Sequence, residues 1–151
     1  MKKLFIVLAL ISSQAFAVNY QSNTSNFVIS DMARDGSRVY YNCDSVEDKV
    51  EKLLTDMGAI VKNVRCSGGI NRHSRIFTPA FVRVSYDTLS SEIAGNVSAS
   101  IMTVNLNERS NCHINNTVFK AVKKNFEISS VNMRSCFRPS QRTMIQVDVL
   151  K

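Results

Sequence analysis

Four cysteines fall in two intervals of nearly equal length, Cys43 to Cys66 and Cys112 to Cys136, and their pairing constrains the fold more than any other feature of the chain. An even set in a small chain reads as a disulfide framework in an oxidising compartment and as a metal or redox set elsewhere. The amino terminus decides between the two. Lys2 and Lys3 form a positive start, Leu4 to Ile11 an apolar run, and Ala15-Phe16-Ala17 a small-x-small cleavage site, the parts of a secretory signal of bacterial form in their usual order. The apolar run is shorter than the roughly 20 residues that span a bilayer. Cleavage after Ala17 and a periplasmic or secreted location are therefore expected.

Four cysteines admit three pairings. Alignment of the chain on Cys43 and Cys112 brings Val50 onto Phe119, Leu53 onto Val122 and Met57 onto Phe126, all within stretches of helical periodicity. Both stretches pass into strand-like runs, Ile60 to Cys66 and Ile128 to Cys136, with Arg65 and Arg134 near their ends. One inserted residue reconciles the two spacings. The chain thus reads as two copies of one unit, which favours the local pairs Cys43–Cys66 and Cys112–Cys136. A right-handed crossover makes the first two strands of each unit parallel, so each pair can meet at one sheet edge. A third strand between them would separate the pair by about 9.6 Å, beyond the roughly 7 Å that a disulfide spans. In that topology the cysteines must lie in loops beyond the strand ends.

Periodicity assigns the remaining elements. Val18 to Ser30 is rich in Asn, Ser and Gln, so 18–37 reads as a flexible leader in which Phe27, Val28 and Ile29 can add an edge strand. Arg38 to Asn42, with Val39 and Tyr41 on one side, is taken as the first strand. Ser45-x-x-Asp48 resembles a capping box for a helix running to about Met57, with Gly58 as its stop. Gly68-Gly69 marks a turn. From Ala80 to Tyr86, Val82, Val84 and Tyr86 alternate with Arg83 and Ser85, the pattern of a half-buried strand. Asp87 to Ser98 is a connector, Ala99 to Leu106 a strand, Asn115 or Asn116 the cap of a second helix ending near Asn125, and Thr143 to Leu150 a last strand. The expected fold is α+β: duplicated βαββ units, ferredoxin-like or related, with helices on one face of a mainly antiparallel sheet. One domain over 38–151 holds two halves, about 38–86 and 99–151.

Chemistry is sparser. The loops that follow the second strand of each half carry Arg72, His73 and Arg75, then Arg138 and Arg142, beside helix amino termini whose free N–H groups attract anions. These arginines form a candidate anion-binding edge. His73 and His113 are the chain's two histidines, and a pair with cations nearby can cleave a phosphodiester by general acid–base catalysis. No Cys-x-x-Cys, Gly-x-Ser-x-Gly or phosphate-binding glycine loop occurs, and no metal or cofactor is expected. Asp44, Glu47, Asp48 and Glu51 are accounted for by the helix dipole.

Composition bears on partners. The 151-residue chain has 44% hydrophobic and 21% charged residues, as globular domains do, and a net charge of +7 that falls to +5 once Lys2 and Lys3 are removed. A basic surface favours an acidic envelope polymer, nucleic acid or an acidic protein as partner. The expectation is an exported, non-catalytic binding protein. Its alternative is a small secreted hydrolase of a polyanion using His73 and His113.

Overall fold

The computed structural model describes residues 20–29, 36–70, 77–90, 100–106, 112–136 and 141–151. The signal segment 1–17 lies outside the described residues, as do the basic positions Arg72, His73, Arg75 and Arg138. Along the chain run β1 (Tyr20–Ile29), α1 (Cys43–Asp56), β2 (Ile60–Ile70), β3 (Phe77–Leu89), β4 (Ile101–Asn105), α2 (Cys112–Val122), a 3-10 turn (Lys123–Asn125), β5 (Ile128–Met133) and β6 (Ile145–Leu150). The protein is α+β, with two helices and two three-stranded antiparallel sheets where one sheet was expected. The sheets have orders β1-β3-β2 and β4-β6-β5, so in each the last strand in sequence lies at the centre.

The first strand is not Arg38 to Asn42. It is β1, inside the segment expected to be a flexible leader. Its inward residues include Ser25, whose polarity hides the alternation, yet Ser25 is buried with its hydroxyl 3.1 Å from the Tyr86 hydroxyl of β3. Asn23 likewise donates through Nδ2 to Thr88 Oγ1 at 2.9 Å. Arg38 to Asn42 forms no strand, only a single β-bridge at Arg38; the Tyr41 carbonyl accepts from Ile70 N at 2.7 Å. Tyr40 instead packs on Phe77, with ring centroids 4.4 Å apart.

Helix α1 begins two residues before the expected box, at Cys43, because Asn42 is its cap and accepts from Asp44 N at 2.9 Å. Such a cap contributes about 1 kcal/mol. The helix buries Val46, Val50, Leu53 and Leu54 along one stripe. At its end Gly58 N–H donates to Thr55 O and Ala59 N–H to Leu54 O, the double bond pattern that closes a helix through a left-handed residue; Gly58 has φ +89°. Helix α2 starts at Cys112, so Asn115 and Asn116 are interior residues and not caps. Both are buried, and their amides donate to Thr143 Oγ1 at 3.0 Å and Arg134 O at 3.2 Å.

Gly68 and Gly69, expected to form a turn, lie within β2 at a register irregularity opposite β3. A second irregularity in β2 admits Lys62 as an extra residue, and β5 admits Ser129 in the same way opposite β6. The strand alternation read from Ala80 to Tyr86 holds, with Val82, Val84 and Tyr86 buried and Arg83 exposed.

Both cysteine pairs are bonded as expected, Cys43–Cys66 with Cα atoms 5.3 Å apart and Cys112–Cys136 with 5.8 Å. The split order does place β3 between β1 and β2. Distance across the sheet is nonetheless irrelevant, because Cys43 opens the helix packed over β2 and meets Cys66 from above the sheet. Cys136 lies three residues beyond the end of β5. A single buried cluster contains Val50 and Leu54 of α1, Val84 and Tyr86 of β3, Phe119 of α2 and Val147 of β6. Each such side chain contributes roughly 1.5–3 kcal/mol by leaving water. Phe126 stacks on Tyr86 at 5.9 Å, and Asn125 Nδ2 donates to the Tyr86 hydroxyl at 2.7 Å and to Ser25 Oγ at 3.3 Å.

Candidate functional site

The region around the amino termini of the helices was expected to gather the site. The Glu47 carboxylate, assigned from sequence to the helix dipole alone, accepts from Cys66 N at 2.6 Å and so clamps α1 to β2 beside the disulfide. Tyr41, just before α1, stacks on His113 in the first turn of α2, with centroids 6.2 Å apart and planes within 6°. This contact joins the starts of the two helices. Of the proposed anion-binding arginines, Arg142 is described; it is exposed, next to the buried Thr143.

His113 is poorly placed for surface acid–base chemistry. Its Nε2 is buried with no hydrogen-bond partner among the described residues, as are the Tyr41 hydroxyl and Asn116 Oδ1. Burial lowers the imidazole pKa, helped by the positive charge of Lys120, and burial pushes the Tyr41 phenol up to about 12. Both effects favour the neutral imidazole, and its Nε2 is shut off from solvent, where a general acid needs a proton to give and a path to substrate. His73, its expected partner in catalysis, lies outside the described residues.

The open face of the β1-β3-β2 sheet carries a second constellation. Antiparallel register sets Arg65 of β2 directly opposite Arg83 of β3, with Asn26 of β1 on the other side of Arg83. Cβ atoms of such pairs stand about 4.5–5.5 Å apart, and like charges there repel. Among the described residues no carboxylate forms an ion pair with either arginine. Asp87, farther along the same face, is held by Lys62 Nζ at 2.7 Å and the Ser22 hydroxyl at 2.6 Å. Those two bonds, Lys62 first, keep its carboxyl below the usual range. The next row toward the start of β3 is apolar: Phe81 is 51% exposed and Val28, its partner across the strands, 47%. A shallow hollow of ≈ 500 Å³ includes both arginines, Asn26, Ser67, Val28 and Phe81 in its lining.

On the other sheet the centre is occupied by Asp148, which accepts from Ser130 and from Thr103, the latter at 2.6 Å; these bonds lower its pKa. The arginine pair was missed in sequence. Alternation marked Arg83 as outward, but nothing local reveals which residue of β2 it faces. No group of three or more metal-ligating side chains occurs among the described residues, and no helix there is long and apolar enough to cross a membrane. Comparison with protein-family models, with curated proteins and with solved structures finds no match to this chain.

Proposed function

We propose that the protein is an exported, basic, non-catalytic binding module that takes an anionic partner. The observation that carries this reading is the Arg65–Arg83 pair, two facing cations without a carboxylate partner among the described residues, on an uncovered sheet face. Net positive charge and the exposed Arg142 act in the same direction, and Arg72, Arg75 and Arg138 extend the basic edge by sequence. Export is supported by the signal-like amino terminus together with two disulfides. Burial of the His113 Nε2 weighs against the hydrolase alternative.

The duplicated architecture belongs to the same reading. Both sheets share one strand order, both helices open with a bonded cysteine, and the extra residues Lys62 and Ser129 fall at corresponding places in β2 and β5. Aligned on these, Arg65 and Arg83 correspond to Asn132 and Gln146. On this reading the chain holds two diverged copies of a βαββ unit, and the facing arginine pair belongs to one of them.

Retention on immobilised heparin at low salt tests the reading. The mature protein is expected to bind and to elute at lower salt after charge reversal at Arg72, Arg75, Arg138 and Arg142. Flow-through of the unaltered protein would end the proposal. Turnover of nucleic acid that disappears in His113→Ala would overturn its non-catalytic part.

A further inference from the structure

The geometry points to a specific anionic partner for the open face of the β1-β3-β2 sheet: the surface of a membrane rich in anionic phospholipid. This rests on the anion-binding reading above and adds the identity of the partner.

Polarity on this face changes in order along β3. Toward the first end of β3, Phe81 is 51% exposed, with Val28 beside it; Phe77 lies beyond the register irregularity at Pro79 and packs on Tyr40. Arg83 and Arg65 form the next row, and the row after that is neutral and polar: Thr24, Ser85 and Asn63. The carboxylate of Asp87, already paired with Lys62, comes only beyond it. Alternate residues on a strand are about 6.8 Å apart, so apolar, cationic and neutral rows succeed one another over the depth of a lipid headgroup region. Tyr20 and Ile60 are exposed past this gradient, on the far side of the Ser85 row.

Openness of the face selects among anionic ligands. A soluble amphiphile held by a protein is buried over most of its surface, and an exposed sheet face cannot enclose its chain. A bilayer supplies its own apolar phase: Phe81 and Val28 enter the acyl boundary while the guanidinium groups reach phosphates beside them. Lipid phosphates also relieve the repulsion between the facing arginines. The corresponding rows of the second sheet, with Asn105, Gln146 and Asn132, have no such charge.

Sedimentation of the mature, disulfide-bonded protein with vesicles tests the inference. Vesicles of equal parts phosphatidylglycerol and phosphatidylcholine should carry the protein down at low salt, and phosphatidylcholine alone should not. A basic residue near an anionic membrane is worth about 5-fold in partitioning, so Arg65→Gln with Arg83→Gln should weaken binding by ~30-fold. Lys123→Gln with Lys124→Gln removes the same charge from the exposed 3-10 turn and should cost far less. Phe81→Ser with Val28→Ser should also weaken binding, while Arg65→Lys with Arg83→Lys should retain most of it. Circular dichroism of each variant confirms that the fold is intact. The inference is overturned by absence of binding to anionic vesicles, by equal losses in the arginine and lysine variants, or by full binding without Phe81 and Val28. If vesicle binding fails while heparin retention persists, the membrane assignment falls alone; if both fail, the binding function falls with it.

Discussion

Replacing Gly69 by alanine adds a Cβ to a residue at φ +71° whose nearest neighbour would be the carbonyl oxygen of Tyr41, inside contact distance. Left-handed backbone costs a non-glycine residue about 1–2 kcal/mol. The obstructing atom is backbone, and it is the same oxygen that accepts from Ile70 N at 2.7 Å, so relief of the clash stretches or breaks that bond. Its loss adds about 0.5–1.5 kcal/mol, or more if the donor stays buried and unpaired. The total is roughly 2–4 kcal/mol. Gly36 supplies the control: its φ is +81°, but a Cβ there meets nothing within 4 Å, so Gly36→Ala carries the backbone cost alone. Urea unfolding of both variants under oxidising conditions should separate them by about 1 kcal/mol, with thermal midpoints roughly 3 °C apart. Equal destabilisation of the two would refute the claim that the segment before α1 is pressed against the end of β2.

Removal of either disulfide by paired alanine substitution should lower stability by about 3 kcal/mol, since the cysteines are 23 and 24 residues apart and the loop-entropy cost is nearly the same; a loss below about 1 kcal/mol for either pair would contradict this, as would a Cys43–Cys112 peptide in a non-reduced map. Acid sensitivity follows from His113, whose folded pKa lies below the ordinary 6.5. The unfolded chain then binds more protons between the two values, so stability is full above 6.5 and is lost as pH falls toward the folded pKa. Asp87 and Asp148, also lowered, withdraw further stability below the ordinary 3.8. Tyr41 acts at the other extreme: with its pKa raised to about 12, stability should decline from pH 10 upward. Urea titrations of wild type and His113→Gln across pH 4 to 8 should differ in slope, and parallel curves would exclude His113 as a source.

What could be read from the sequence depended on how local the cause was. The pairing of Cys43 with Cys66 and Cys112 with Cys136 followed from shared helical offsets, and the inward run Val82, Val84, Tyr86 from simple alternation. Strand β1 was hidden because polar Ser25 and Asn23 point inward, and the groups that satisfy them, on Tyr86 and Thr88, come from a distant strand. Asn42 was passed over as a cap in favour of Ser45, since both residue types serve there and only backbone geometry chooses. Arg83 was visible as an outward residue. Its opposition to Arg65 was not, because that register depends on the extra residue Lys62 in β2.

The contact of Ser25, Tyr86 and Asn125 bears on how this protein can be divided. Tyr86 comes from the first half of the chain and ends against Asn125 and Phe126 of the second, while its ring is wholly removed from solvent. A fragment ending before β4 would retain the phenol but lose the amide and the ring that cover it. The complementary fragment would keep Phe126 without its stacking partner. Two halves that resemble each other in strand order are therefore not interchangeable modules: the join between them is interior, and the smallest piece expected to fold contains both.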